Sequence, residues 1–144
     1  MRSAIRQDLL RESPRGSVWA AHRDGEGRFT GWEERGPEWR GFATGGAKVL
    51  FQFSSCDAPR LCVTEAATDA MSLAALEGER CDSLYPTARS PERCGADRCD
   101  RHNPQGEVYA DRLEALAGGA GCGFERLRPR EEDWNAELKA KGDE

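Results

Sequence analysis

Leu61-Cys62-Val63-Thr64-Glu65-Ala66-Ala67-Thr68-Asp69-Ala70-Met71-Ser72-Leu73 decides how this chain is read. A short apolar run ends on one carboxylate. A second carboxylate follows four residues later, where a helical pattern begins. Open α/β sheets present chemical groups in this way, at the C-terminal ends of strands that lead into helices. Arg60 to Thr64 is therefore expected as a strand. Ala66 to Glu77 is expected as a helix, with Ala70, Leu73, Ala74 and Leu76 on or near one face and Gly78 closing it. A second acidic cluster, Asp100-Arg101-His102-Asn103-Pro104-Gln105-Gly106-Glu107, also stands just before a helical pattern, Val108 to Ala117. Two such junctions can converge on one divalent cation.

Working outward, Val18 to His22 and Arg28 to Glu33 read as strands joined by the turn signal Asp24-Gly25-Glu26-Gly27. Ala4 to Glu12 reads as a short amphipathic helix carrying Ile5, Leu9 and Leu10, ended by Ser13-Pro14-Arg15-Gly16-Ser17. Gly36 to Gly46 is loop-rich, with Trp39 and Phe42 as anchors, and Ala47 to Phe53 is a third strand. Downstream, Ser83 to Tyr85 is a short strand, Cys122 to Leu127 a final strand and Glu131 to Lys141 a terminal helix. Strands alternating with helices predict an α/β fold.

A chain of 144 residues suits one domain with at most a small appendage. With 38% hydrophobic and 33% charged residues, its core should be lean. A net charge of -5 argues against a strongly basic DNA-binding module, although acids that hold a metal lower that charge. No apolar run reaches the roughly 20 residues that span a bilayer. The first residues lack the apolar centre of a secretory signal. The expected compartment is the cytoplasm, with no membrane partner. The six cysteines, Cys56, Cys62, Cys81, Cys94, Cys99 and Cys122, are then expected as free thiols. A zinc site from Cys94, Cys99 and His102, with Cys81 or Cys122, is the alternative, though its spacing fits no common knuckle.

Each candidate site has a plainer reading beside it. Glu65 at a strand's end can act as general acid/base or reach a metal, with Asp69 facing the same crevice. On spacing alone the plainer reading is preferred: acids at a helix N-terminus are favoured by the helix dipole. In the cluster Asp100, His102, Asn103 and Glu107, the carboxylate and amide oxygens suit Mg²⁺; alternatively the cluster is a polar loop with an Asn-Pro turn. Trp19, Phe29, Trp32, Trp39 and Phe42 interleave with Arg15, Arg23, Arg35 and Arg40. Such a pattern can stack bases and hold phosphates. The preferred reading is plainer: a packed hairpin, its tryptophans in the core and its arginines in solvent. Asp133-Trp134-Asn135 reads as a helix cap and an anchoring tryptophan.

The ensemble of these pieces resembles a known family. The resemblance rests on the apolar strand ending in Glu65 and the following Asp69-Ala70-Met71-Ser72-Leu73. It continues through the Asp-x-x-Asn-Pro-x-Gly stretch from Asp100, Tyr109-Ala110-Asp111-Arg112-Leu113, and Arg128-Pro129 before Asp133-Trp134-Asn135. Together these look like the Toprim domain, in particular the Toprim-like proteins of bacterial plasmids and mobile elements, related to primase and relaxase-associated proteins. Upstream, Pro14-Arg15-Gly16-Ser17, His22-Arg23, Gly31-Trp32-Glu33-Glu34-Arg35-Gly36, Gly41-Phe42 and Gly45-Gly46-Ala47-Lys48 resemble the small region that precedes Toprim in that group.

The resemblance implies a compact α/β Toprim-like domain with a mainly parallel sheet over residues 47–144. A helix and small β-hairpin segment over 1–46 would precede it. It implies that Glu65 is general acid/base in nucleotidyl or phosphodiester transfer. Mg²⁺, or Mn²⁺, would be held by Asp100 with Asp69 and with Asn103 or His102. DNA or RNA would be the substrate, with relaxase or replication proteins as partners, and Arg35, Arg40 and Lys48 are the candidate nucleic-acid contacts. Two features depart from the family. Its acidic pair is spaced by one residue, whereas Asn103 lies three after Asp100, and alternation along an extended chain turns such a ligand away. A buried parallel strand should be almost continuously apolar. Gly95-Ala96-Asp97-Arg98-Cys99 would instead bury a charge at a cost of several kcal/mol. Residues 86–99 thus read as a deletion or frame-disrupted remnant. The alternative function is a catalytically degenerate nucleic-acid- or partner-binding remnant.

Overall fold

The computed structural model describes residues 2–49, 51–54, 58–78, 80–87 and 104–142. The chain divides into two compact units, 1–93 and 94–144. Asp100, His102, Asn103, Cys94 and Cys99 lie outside the described residues, as does the expected remnant from 88 onward.

The first unit begins with α1 (Arg2–Arg6) and four strands, β1 (Leu10–Glu12), β2 (Val18–Arg23), β3 (Phe29–Arg35) and β4 (Arg40–Phe42). They form one sheet in chain order, antiparallel throughout. Short turns make this the only outcome, because a parallel return needs a long crossover. At the β2–β3 turn, the Asp24 carboxylate accepts from the backbone N–H groups of Glu26 and Arg28, both at 3.0 Å, and from Arg28 Nε at 2.8 Å. The register slips by one residue at Thr30, a β-bulge between the His22–Gly31 and Arg23–Phe29 pairs. Gly31 is required by a close approach: a Cβ there would lie 2.8 Å from the Phe42 ring.

The helix expected over Ala4 to Glu12 ends early. Asp8 takes a positive φ of 57°, and Arg11 reaches back to its carboxylate at 2.8 Å. Leu10 then enters the sheet opposite Ala20 and is buried. Pairing with β2 satisfies the backbone and buries Leu10 on one face, which outweighs a marginal isolated helix.

A second, smaller sheet contains β5 (Gln52–Ser54), β6 (Arg60–Leu61) and β7 (Ser83–Pro86), in the order β5-β7-β6. β5 is antiparallel to β7, and β6 is parallel to it. A further parallel bridge joins Thr64 to Thr87. α2 (Ala67–Leu76) links β6 to β7, as the opening stretch predicts, and Gly78 follows it with φ 79°. Ala67, Ala70, Leu73 and Ala74 of α2 are buried, with Phe51, Phe53 and Tyr85 of the sheet side in the same core. His22 lies against Phe51, ring centroids 6.4 Å apart, where the larger sheet meets this core.

The expected α/β domain with a mainly parallel sheet is therefore overturned. The main sheet is antiparallel, and the small one is mixed. Strands buried on both faces build parallel sheets. β6 pairs in parallel with β7 but is a two-residue edge strand with Leu61 61% exposed, so no parallel sheet buried on both faces grows from it. The hairpin strands alternate between a core face and an outer face, which is the antiparallel signature.

The second unit contains α3 (Pro104–Gly119) and α4 (Trp134–Gly142). Among its described residues no strand forms. The strand expected from Cys122 to Leu127 finds no ladder partner among the described residues. α3 runs on through Gly118 and Gly119 and stops where Gly121 takes φ 68° and Cys122 N–H donates to Ala117 O at 2.8 Å. Asp133 caps α4 by accepting from Ala136 N–H at 2.7 Å, as read from the sequence.

Candidate functional site

The β6–α2–β7 unit is clamped at one end and open at the other. At the clamped end, Arg60 donates through both terminal nitrogens to the two carboxylate oxygens of Glu77, each at 2.7 Å. Tyr85 Oη donates to Glu77 at 2.7 Å, and Arg60 Nη1 to Ser83 Oγ at 3.1 Å. The Arg60 guanidinium holds the Glu77 carboxyl below its ordinary range. Burial, reinforced by the bond to Glu77, pushes the Tyr85 hydroxyl up to about 12. This network ties the end of α2 to the starts of β6 and β7.

At the open end the chain passes through Thr64 and turns, with Thr64 Oγ1 donating to Ala66 O at 3.2 Å. Glu65 follows and is exposed; Asp69 stands in the first turn of α2 and is half-buried. Ala66 occupies the N-cap position in extended conformation, φ -134° and ψ 153°, with no side-chain cap. Glu65 and Asp69 are thus brought to one strand–helix junction. Among the described residues no group of three or more His, Cys, Asp or Glu side chains is placed to hold a metal. Cys62, Cys81 and Cys122 are free thiols, and burial raises that of Cys62.

The larger sheet separates the aromatic and basic residues by face. Pairing sets Ala20, His22, Gly31, Glu33, Arg35 and Phe42 on the core side. The outer side carries Arg11, Trp19, Ala21, Arg23, Phe29, Trp32 and Glu34, the last opposite Trp19 and outside the cavity lining. Trp19 and Trp32 approach to 5.0 Å between ring centroids, and Phe29 stacks on Trp32 at 6.1 Å and 17°. Together with Asp8 and Leu9 these residues line a cavity of about 450 Å³. The tryptophans therefore stay out of the core, against the preferred sequence reading. Trp39 is exposed and lies over Gly41, where a Cβ would meet its ring at 2.5 Å.

Of the expected nucleic-acid contacts, Arg35 faces away from the tryptophans. Its Nε is 3.6 Å from Glu33 Oε1, too far for a hydrogen bond. Arg40 pairs with Arg35 across β3 and β4 and is exposed, as is Lys48. Arg11, hidden in an expected helix, was the basic residue that the sequence reading left out. An alternation test on Leu9-Leu10-Arg11-Glu12 would have found it, since only a strand sends Leu10 and Arg11 to opposite faces.

Two further clusters sit on this sheet. Ser17 donates to Glu34, whose carboxyl is lowered first by that hydroxyl, with the Trp19 and Trp32 indole groups nearby. His22 is wholly buried, with Glu33 Oε2 4.0 Å from its Nε2 and Phe42 edge-on at 5.0 Å. Burial lowers its pKa to about 4, with the Lys48 ammonium adding to the effect. The ring is neutral near pH 7.

Residues 1–58 match the model of a family described as a protein of unknown function, DUF3991. The match spans β1 to β4 and β5, and covers less than half of the chain. No curated protein and no solved structure matches the chain. Among the described residues no helix is long and apolar enough to cross a membrane.

Proposed function

We propose that this chain processes nucleic acid in the cytoplasm, by Mg²⁺-dependent nucleotidyl or phosphodiester transfer of the Toprim kind, in a plasmid or mobile-element setting. One observation carries the reading: Glu65 is exposed just after the parallel Thr64–Thr87 bridge, between β6 and α2, with Asp69 in the first turn of that helix. Glu65 takes the proton from the attacking hydroxyl or returns one to the leaving oxygen, and its exposure leaves it open to a polymer. The first-turn N–H groups of α2, uncapped by Ala66, favour a phosphate at the same end.

The donors fit a hard cation. Two carboxylates at one junction suit magnesium, which is held by one or two carboxylates and otherwise by water and phosphate. From this junction Asp69 would hold it; the other expected ligands, Asp100 with Asn103 or His102, lie outside the described residues. Magnesium or manganese, when bound, neutralises charge developing on the phosphoryl group. Glu65 orients and deprotonates; Arg60, Glu77 and Tyr85 keep α2 from shifting relative to β6.

The test is primer synthesis and nicking on single-stranded templates, with and without Mg²⁺ or Mn²⁺, for the wild-type chain and Glu65→Gln. Divalent-dependent turnover that falls at least a hundredfold in Glu65→Gln supports the proposal. Wild-type protein that turns over nothing under either metal overturns it and leaves the degenerate, binding-only reading.

A further inference from the structure

From the outer face of the β1–β4 sheet we infer a binding site for single-stranded nucleic acid, in which Trp19, Phe29 and Trp32 stack an unpaired base and Arg23 reaches its phosphate. The choice of polymer rests on the function proposed above; the face itself stands on independent observations. Three aromatic rings are fixed on a rigid pair of strands and turned away from the core. Phe29 is 54% exposed, so its ring is open to solvent. Ala21, directly opposite Trp32, leaves the space between the rings and Arg23 unfilled. The resulting cavity of about 450 Å³ falls in the range of small-ligand pockets.

Charge selects the partner. Arg11 and Arg23 flank the rings, and Asp8 is the acid in the same cavity. Asp8 is engaged by Arg11 through both carboxylate oxygens, at 2.8 and 3.1 Å. That pair is nearly neutral. Arg23 donates one terminal nitrogen to Gly27 O at 3.1 Å, which leaves other donors of its planar fork for a phosphate. Asp8 also feels the Arg23 charge, but two guanidinium groups against one carboxylate leave the cavity lining with an excess of positive charge that an apolar peptide would not answer. A base with its phosphate satisfies both the rings and the guanidinium, and stacking tolerates any base sequence.

The experiment titrates the full chain with oligodeoxythymidine and oligouridine, following tryptophan fluorescence at about 20 and 200 mM salt. Saturable quenching is expected, with affinity falling as salt rises by a slope of about -0.7 per phosphate contacted. Phe29→Ala and Trp32→Leu should each weaken binding roughly ten- to hundredfold, and Trp32→Phe should retain most of it. Arg23→Ala should flatten the salt slope by about one contact. Because Phe29 is exposed, Phe29→Ala decides the matter even if Trp32→Leu unfolds. Glu65→Gln should bind normally, so loss of turnover with binding kept separates failure of the catalytic step from failure of this face. The inference is overturned if quenching is absent, if duplex binds as well as single strands, or if Phe29→Ala matches wild type. Concentration-dependent dimers in sedimentation that Phe29→Ala dissolves would assign the face to a second copy and overturn it as well.

Discussion

Tyr85 and Phe51 in the first unit are wholly buried, whereas Leu116 in the second is 69% exposed and Val108, Phe124 and Leu127 are exposed too. The contrast extends to whole helices. α2 has 10 residues and buries five; α3 has 16, and none of it from Gly106 onward is buried. Both carry apolar residues at helical spacing, so periodicity does not separate them. What separates them is attachment. α2 is strung between two paired strands and tied at its end by Arg60 and Glu77. The second unit carries exposed ion pairs, Glu107 with Arg126 and with Arg128, and such pairs contribute about 1 kcal/mol or less. Cooperative stability should therefore reside in the first unit.

The largest effect should come from Phe51→Ala. The side chain is fully buried, with its ring beside that of His22. Its backbone N–H also bonds Thr87 Oγ1, at 3.3 Å. Truncation should cost about 3–5 kcal/mol in denaturant unfolding. A loss below about 1 kcal/mol would mean that the first unit does not hold the stable core.

Acid should come next. The folded pKa of His22, about 4, is below its ordinary 6.5, so the unfolded chain binds the extra proton between these values. Stability from this residue is complete above about pH 6.5 and is lost as pH falls toward 4, by up to about 3 kcal/mol. Lys48 opposes the imidazolium, while Glu33 at 4.0 Å favours it and moderates the loss. His22→Phe should flatten the pH 4–6.5 part of the stability profile measured by urea unfolding. An unchanged profile would show that another group governs the acid limb.

A cap exchange sharpens the comparison between helices. α2 starts at Ala66 with extended backbone and no side-chain cap, whereas Asp133 caps α4. Ala66→Ser should raise stability by about 1 kcal/mol, because the cap adds to the cooperative unit. Asp133→Ala should lower helicity in circular dichroism with little change in the unfolding midpoint. A midpoint that fell as much as helicity would couple α4 to the core.

Much of this was legible in local patterns. Thr64-Glu65 followed by the Ala70, Leu73, Ala74 stripe identified the β6–α2 junction, and Asp24-Gly25-Glu26-Gly27 identified the hairpin. Local chemistry also placed Glu65 and Asp69 together, since only one turn separates them. Strand direction was not legible, because β6 and β5 flank β7 in opposite senses through pairings over 20 residues apart in sequence. Nor was the fate of Leu9-Leu10-Arg11, where a helical spacing competed with an alternating one and β2 decided the outcome. Cys122 to Leu127 shows the converse: strand-like composition makes no strand when no edge is offered. The outer aromatic face was hidden for a similar reason. Which side of a strand faces the core is decided by what packs on it, here Phe42 and Phe51 against His22.

The smallest effect should come from Leu116→Ala. In an ordinary amphipathic helix a leucine in line with Tyr109 and Leu113 loses about 2–5 kcal/mol on truncation. Leu116 retains most of its solvent contact, so little apolar area returns to water when it is shortened. Alanine is also the better helix former, which offsets part of that loss. The change in unfolding free energy should stay within about 0.5 kcal/mol. Urea unfolding beside Phe51→Ala makes the two residues a matched pair: one apolar truncation in each unit, same method, opposite expectation. A cost above about 2 kcal/mol would place Leu116 in a buried contact in solution, and the distinction between a packed first unit and a loosely held second would fail.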